Sequence, residues 1–166
     1  MAFVTIYASS KNMLQHASLF FAVFAISMML LRPFTGRLFD RKGADYVIYP
    51  ALICFCLGLV ALSQMNSLPV LMLSAVLIGF GFGSVQPCLQ AITLQSVPKQ
   101  RVGHASSTFY TLYDIGIAAG SFLLGLYITR YDYSSAYLLC SALVMLSLLY
   151  YHFVIRGRVK QLRSLP

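Results

Sequence analysis

Asp114 is the only carboxylate that lies within a long apolar segment of the sequence. An ionisable side chain in lipid is costly, so it must be protonated, paired or in contact with water. Two interpretations of Asp114 follow. Either it takes up and releases a proton that is coupled to another process, or it bonds structurally to a helix end or a basic group.

The sequence offers few residues for enzymatic chemistry. An intramembrane aspartyl protease needs two carboxylates at membrane depth, and Asp114 stands alone. The H-E-x-x-H and G-x-S-x-G patterns are absent, so metal-dependent and serine hydrolysis lack their residues. Neither His nor carboxylate clusters accompany Cys54 and Cys56, and we interpret these, Cys88 and Cys140 as buried structural thiols. We therefore expect no enzyme, no metal and no other cofactor.

Polar and small residues in two apolar segments recur every three or four positions, which places each set on one helix face. The sets are Gly79, Gly83, Gln86, Gln90 and Thr93, and then Ser107, Thr111, Asp114, Ala118, Ser121 and Gly125. In lipid, small residues let helices approach closely, and polar ones face a partner or a water-filled cavity. Gln86 and Gln90 are therefore candidates for substrate contact or for helix packing, while the glycines favour packing.

Five apolar runs supply the elements that position these residues. The chain is 59% hydrophobic and 10% charged, which is not the composition of a soluble domain. A helix needs about 20 apolar residues to cross a hydrocarbon layer of about 30 Å, and in that layer helices satisfy the backbone. The predicted spans are residues 16–34, 46–65, 69–96, 102–129 and 134–155. The predicted fold is an all-α polytopic membrane protein with five transmembrane helices.

The N-terminal residues 1–8 are apolar but too short to span a bilayer. We interpret them as the remnant of a transmembrane helix; the alternative is a short hydrophobic leader lying on the outer surface. The predicted organisation is thus a partial N-terminal helix at 1–8, a five-helix transmembrane bundle at 16–155, and a basic cytoplasmic tail at 156–166.

The basic residues are concentrated on alternate loops. Ten of the twelve fall in three stretches: Arg32, Arg37, Arg41 and Lys42; Lys99 and Arg101; and Arg156, Arg158, Lys160 and Arg163. Basic loops stay on the cytoplasmic side, so this pattern predicts a cytoplasmic C-terminus. Topology and anionic lipid together explain the net charge of +8. A nucleic-acid partner is not expected, because the basic residues form no single patch.

The first basic loop carries the most specific motif. Its sequence predicts a helix end near Pro33, followed by a tight loop. Asp40 is the only acid among four cations, so it has either a fixed partner or a charge-neutralising role at the surface. Residues 36–43, GRLFDRKG, resemble the G-x-L-x-D-R-x-G loop of the major facilitator superfamily. The resemblance implies a gating loop made by Gly36, Asp40, Arg41 and Gly43.

Three later segments resemble the C-terminal half of that family. Residues 79–87, GFGFGSVQP, are similar to its Gly-rich tenth helix, and residues 98–106, PKQRVGHAS, to the link into the eleventh. Residues 113–121, YDIGIAAGS, resemble the D-x-G-x-x-x-G stretch of that helix. Ala44 and Asp45 replace basic residues of the family pattern, a departure that is commoner in the second copy of the loop. The resemblance implies helices eight to twelve plus the end of seven. The glycines assigned to helix packing are Gly79, Gly83, Gly116 and Gly120.

The resemblance implies a secondary carrier that moves a small molecule across the plasma membrane by alternating access. Proton-coupled efflux is one option that the resemblance offers, with Gln86, Gln90 and Asp114 as candidates for substrate or coupling. The expected partners are the lipid bilayer, a small-molecule substrate, and an N-terminal half or a second copy. The second and fifth spans correspond to peripheral helices and should face lipid. The alternative is a truncated or regulatory membrane protein that does not transport by itself.

Overall fold

The computed structural model describes residues 3–10 and 14–155, and nearly all of these residues are helical. Six α-helices occupy this part of the chain: α1 Val4–Ser10, α2 Ala17–Lys42, α3 Asp45–Ser63, α4 Leu68–Gln95, α5 Val102–Ile128 and α6 Tyr133–Tyr150. Short 3-10 turns at Leu14–His16 and Lys99–Arg101 precede α2 and α5, and a π-helical turn, Tyr151–Ile155, follows α6. Helices α2 to α6 are long and apolar enough to cross a membrane, which confirms the predicted fold class.

Two of the predicted segments reach beyond the described residues. The tail at 156–166 lies outside them, so its cytoplasmic placement stays a prediction. Of the segment at 1–8, the structure describes residues 3–8, most of which form the start of α1.

Helix α2 is longer than the sequence predicts, because it continues through Pro33 to Lys42. Pro33 supplies no backbone N–H to the helix, but its side chain is exposed and the helix is not broken there. The helix ends instead at Gly43, whose φ of 99° suits glycine. The Gly43 N–H donates to the carbonyl oxygen of Phe39 at 2.9 Å and so closes the last turn.

Helices α3 and α4 form the centre of the bundle and approach each other at glycines. A Cβ added at Gly81 would lie 2.7 Å from the carbonyl oxygen of Ala51 and 2.8 Å from Cα of Phe55. A Cβ at Gly58 would lie 3.0 Å from the backbone nitrogen of Ile78. Both positions therefore need glycine, because the obstructing atoms belong to the backbone or lie next to it. Helix α2 packs on another side of α4, and α6 packs against α3.

The burial of α3 differs from the expectation that the second span faces lipid. Half of its apolar window, 50%, is buried, compared with 17% for the α6 span. Helix α3 lies between α4 and α6, so helices rather than lipid cover two of its sides. Helix α6 agrees better with a peripheral position, since Leu143, Leu146 and Leu149 are exposed.

Tyr7 ties α1 to one end of the bundle. Its side chain is 2% exposed, and its hydroxyl donates to the carbonyl oxygen of Ser63 at 2.9 Å. The same hydroxyl lies 2.8 Å from Oγ of Ser134, and its ring stacks on Tyr133 with the centroids 5.7 Å apart. Helix α1 is therefore packed into the bundle together with the end of α3 and the start of α6.

We call the opposite end of the bundle the basic end, after Lys99 and Arg101. It is formed by residues 43–45, Lys99–Arg101 and Tyr151. The Tyr151 hydroxyl donates to Oδ1 of Asp45 at 2.8 Å. One turn further on, the hydroxyl of Tyr49 and Nδ1 of His152 are hydrogen-bonded at 2.7 Å. The start of α3 and the end of α6 are thus connected twice by polar side chains.

Helix α5 stands apart from this arrangement. None of its residues is buried, although it is one of the longest helices in the described part of the chain. It contacts α4 and, to a lesser extent, α6. One cleft lies between α5, α4 and α2, and a second lies between α5, α4, α3 and α6.

Candidate substrate cleft

A cleft of about 410 Å³ opens between α2, α4 and α5 near the basic end. Its lining includes four residues that the sequence singles out: Gly36 and Asp40 from α2, and Gln86 and Gln90 from α4. These residues are about 50 positions apart in the sequence, and the packing of α2 on α4 brings them to one surface. Two of the four candidate gating residues and two of the three candidate substrate or coupling residues therefore share one cavity.

The polar groups of this cleft come from all three helices. Arg32 and Asp40 contribute opposite charges from α2, and Gln90 and Gln95 contribute amides from α4. Tyr110 of α5 donates a hydrogen bond from its hydroxyl to Oε1 of Gln90 at 3.1 Å. The cleft, which we call the polar cleft, can thus offer a cation, an anion and several hydrogen-bonding groups to a small polar molecule.

The two charged residues of the polar cleft, Arg32 and Asp40, form no ion pair within the described residues. Within residues 3–10 and 14–155, Asp40 forms no ion pair or hydrogen bond, and Arg32 contacts only Sδ of Met28 at 3.7 Å. Both side chains are exposed. Of the two interpretations of Asp40 made from the sequence, a surface acid fits this arrangement better than a partner within the bundle.

Only part of the GRLFDRKG motif lines the polar cleft. Gly36 is inside α2, and apart from the adjoining backbone of that helix nothing lies within 4 Å of where a Cβ would be. Gly43 ends the helix, and Arg41 is exposed in its last turn. The structure thus brings Gly36 and Asp40 to the cleft, while Arg41 and Gly43 are not part of its lining.

Asp114 lies on the exposed surface of α5, one turn beyond Tyr110. It lines neither of the two clefts beside α5, and it makes no hydrogen bond or ion pair with a described residue. Ser107, Thr111, Ala118 and Ser121 are likewise exposed on this helix. The polar face expected for the fourth span is therefore open from Ser107 to Ser121, while Gly125 at its end lies near Phe3.

The four glycines assigned to packing have different surroundings. A Cβ at Gly79 would lie 2.8 Å from the carbonyl oxygen of Phe24, and one at Gly83 would lie 3.2 Å from Cβ of Met28. These two residues allow α2 to approach α4. At Gly116 and Gly120 nothing lies within 4 Å, so no part of the described chain packs against them.

Sequence reasoning missed several residues that matter to the bundle. Gly58 and Gly81 mark the closest approach of α3 and α4, and Tyr110 contributes the hydroxyl that contacts Gln90. Gly81 could have been found, because it lies between Gly79 and Gly83 and thus faces another side of the same helix. The contact of Tyr110 with Gln90 could not be predicted from the sequence, because tyrosines are common near the ends of membrane spans.

The fold and the polar cleft define a multi-pass α-helical membrane protein with a solvent-accessible cavity near one end. The chain matches the Major Facilitator Superfamily over residues 1–165 and belongs to that family. This family consists of transporters, which confirms that the chain is not an enzyme. The match thus places the chain in a family of membrane transporters.

Two similar proteins are resistance proteins of bacteria. The chain is 30% identical over 108 residues to Multidrug resistance protein 2 of Bacillus subtilis, covering 63% of this chain and 27% of that protein. It is 29% identical over 106 residues to Quinolone resistance protein NorA of Staphylococcus aureus, covering 61% of this chain and 27% of that protein. The chain thus aligns with about a quarter of the length of these relatives.

Proposed function

We propose that this chain is the C-terminal half of a secondary carrier that exports a small molecule by alternating access. The observation that carries the proposal is the polar cleft, which joins Gly36 and Asp40 to Gln86 and Gln90. In such carriers two helix bundles rock about a site between them. A site for a small molecule and the residues that control access to it must therefore be adjacent.

The gating role of the motif rests on the unpaired charges at its surface. Asp40 and Arg32 have no ionic partner within the described residues, and Arg41 is exposed beside them. A second bundle that presents opposite charges would form ion pairs here in one state and separate them in the other. Gly43 shapes the end of α2 for this contact, because only its positive φ closes the helix there.

The open face of α5 supports a partner bundle. Asp114 and Ser121 are exposed and form no hydrogen bond within the described residues, so lipid would leave them without polar contacts. An N-terminal half, or a second copy of the chain, would cover this face and enclose a wet cavity beside it. Asp114 would then meet water or a basic group, and it could take up the proton that drives export.

The orientation follows from the charges. The basic end and the basic tail face the cytoplasm of the cell, and the protein lies in the plasma membrane. A reporter fused after residue 166 should be active only on the cytoplasmic side. The reason is that the turn after α6 lies beside Asp45, at the start of α3 and directly after the first basic stretch. Activity of the same fusion only outside the cell would contradict this orientation.

The substrate class proposed is an amphipathic organic molecule. The support comes from the names of the two relatives, which refer to resistance to multiple drugs and to quinolones. The polar cleft suits such a molecule because it combines charges and amides with Phe39 and Pro87 in one lining.

The test is efflux of amphipathic dyes from vesicles that contain the chain alone or together with a co-expressed N-terminal bundle of a related carrier. We expect transport when two bundles are present, and Gln90→Leu should lower the rate while Gln64→Leu, outside the cleft, should not. Transport by the chain alone would identify a homodimeric carrier. Correct membrane insertion without transport in any combination would favour a regulatory protein that does not transport.

A further inference from the structure

A second cleft, of about 530 Å³, lies between α3, α4, α5 and α6. It is separate from the polar cleft, and Gln86 of α4 lines both. We call it the aromatic cleft, because rings from all four helices and the turn after α6 form much of its lining. These rings are Phe55, Phe82, Phe109, Tyr113, Tyr150 and Tyr151.

The lining of the aromatic cleft carries no formally charged side chain. A charged ligand would therefore lose its hydration here without gaining an ion pair, at a cost of several kcal/mol. Gln86 and Ser147 are the non-aromatic polar side chains of the lining; the Gln86 amide can donate or accept, while the Ser147 hydroxyl donates to the Leu143 carbonyl oxygen and can only accept from a ligand. The cleft thus suits a neutral molecule with few polar groups.

The rings are arranged for contact with another ring. Phe109 and Tyr113, one turn apart on α5, are parallel within 11° with their centroids 6.2 Å apart. Phe82 of α4 and Phe55 of α3 are tilted by 52° relative to each other, with their centroids 6.3 Å apart. Aromatic rings attract other rings in stacked or edge-to-face geometry more than they attract an aliphatic chain. A flat aromatic molecule would therefore gain more here than the acyl chain of a lipid.

The volume and position also fit a ligand. Clefts that bind small organic molecules measure about 300–1,000 Å³. The rim includes Leu112, which is 65% exposed, and Tyr150, which is 60% exposed, so the cleft is open to the surroundings of the bundle. In a membrane these surroundings are lipid, from which a neutral aromatic molecule can enter directly.

We infer that the aromatic cleft is a binding site for a neutral, planar aromatic molecule taken from the bilayer. This site goes beyond the proposed function, since it lies inside one bundle and requires no second half. Its ligand contacts both α4 and α5, so an occupied cleft holds α5 at a fixed distance from the bundle.

The experiment measures binding of N-phenyl-1-naphthylamine, a neutral fluorescent aromatic probe, to the full chain in lipid nanodiscs. Empty nanodiscs of the same lipid give the background from partitioning. We expect saturable binding above this background. Because binding needs no transport, the result is independent of whether the chain works as a carrier.

The decisive variant is Phe109→Leu, which keeps an apolar side chain of similar size but removes a ring. We expect it to weaken binding about fivefold, the loss of one aromatic contact. Phe109→Tyr should retain the affinity, which also guards against a folding defect at this position. The matched control is Phe122→Leu on the same helix, where the ring is 68% exposed and lines neither cleft.

Three results would overturn the inference. The first is the absence of saturable binding above empty nanodiscs. The second is an equal loss in Phe109→Leu and Phe122→Leu, which would place the probe on the general surface of α5. The third is unchanged affinity in Phe109→Leu, which would mean that apolar volume alone determines binding, as for a lipid chain.

Discussion

Tyr110 of α5 donates a hydrogen bond of 3.1 Å to the side-chain oxygen of Gln90 on α4. Within residues 3–10 and 14–155, no other hydrogen bond joins α5 to a different helix. The bond lies at the polar cleft, which both residues line. Since no residue of α5 is buried, this bond is the main polar contact that holds the helix against α4.

Replacing Tyr110 by phenylalanine should loosen α5. A hydrogen bond of this kind contributes about 0.5–1.5 kcal/mol, so the open state of the cleft should become about fivefold more populated. Cys88 reports the change, because it lines the polar cleft and is only 5% exposed. With Cys54, Cys56 and Cys140 replaced by alanine, its labelling by a thiol reagent should accelerate by the same factor.

The control for that experiment is Tyr127→Phe on the same helix. The Tyr127 ring stacks on Tyr131 at 4.7 Å, and its hydroxyl forms no hydrogen bond within the described chain. Its replacement should leave the labelling of Cys88 unchanged. Equal rates in Tyr110→Phe and the parent protein would show that the bond to Gln90 does not hold α5.

The same substitution, glycine to alanine, should have opposite effects in α4 and α5. Gly81→Ala places a Cβ against the Ala51 carbonyl oxygen and the backbone of Phe55, and such overpacking costs about 1–3 kcal/mol. Gly116→Ala meets no atom within 4 Å and replaces a poor helix former, a gain of about 1 kcal/mol. Thermal unfolding in detergent should show a lower Tm for the first and an equal or higher Tm for the second.

The two glycines of the GRLFDRKG motif provide a further contrast. Gly43→Ala forces alanine into a φ of 99° and should destabilise the protein by about 1–2 kcal/mol. Gly36→Ala lies within α2 with free space around it and should be neutral or stabilising. Tm measurements on both variants distinguish these outcomes; a loss at Gly36 equal to that at Gly43 would mean that α2 does not run continuously through the motif.

Asp114→Asn tests proton coupling in a carrier that contains both bundles. The amide keeps the size of the side chain but cannot release a proton, so the stimulation of dye efflux by a proton gradient should be lost. We expect a rate about tenfold lower under a gradient, equivalent to ~1.4 kcal/mol in the barrier. Asp132→Asn is the control, because Asp132 precedes α6 outside the spans. An unchanged response to the gradient would leave Asp114 with a structural role.

The spans could be predicted from the sequence because apolar length is a direct consequence of bilayer thickness. The start of α4 is also marked by Pro69 in its first turn. The end of α2 could not be predicted in the same way. Pro33 is a reasonable helix terminator, but an exposed proline in a long membrane helix can be accommodated, and the positive φ of Gly43 ended the helix instead.

The side of each helix that faces its neighbours is harder to predict. Leu57 and Leu59 lie on the same helix and are chemically identical, yet Leu57 is 54% exposed and Leu59 only 7%. In a soluble protein the exposed positions of a helix are polar, so the sequence shows which face is buried. A lipid-facing position is as apolar as a packed one, so the sequence of a membrane helix does not distinguish the two faces. This is why α3 could be placed in the membrane but not at the centre of the bundle.

The sequence indicated only part of the polar cleft. Gln86 and Gln90 were singled out because amides at membrane depth are costly unless they have polar partners, and both line the polar cleft. Asp114 was singled out by the same reasoning but lines neither cleft. The aromatic cleft was not found, since Phe82 and Phe109 look like ordinary packing residues in a sequence. Only the space that α5 leaves beside α3 and α6 distinguishes them.

The side-chain hydrogen bonds at both ends of α3 and α6 affect the order in which the helices separate during unfolding. Tyr7, Ser63 and Ser134 connect these helices at one end, and Tyr151 and Asp45 at the other. Within the described residues, α5 has one interhelical hydrogen bond, from Tyr110 to Gln90, and no buried residue, and local openings in proteins begin where buried contacts are fewest. On heating, α5 should therefore detach while the other four spans are still assembled. The helix that carries Asp114 would be the least cooperative part of the fold, a separate unfolding unit within one short chain.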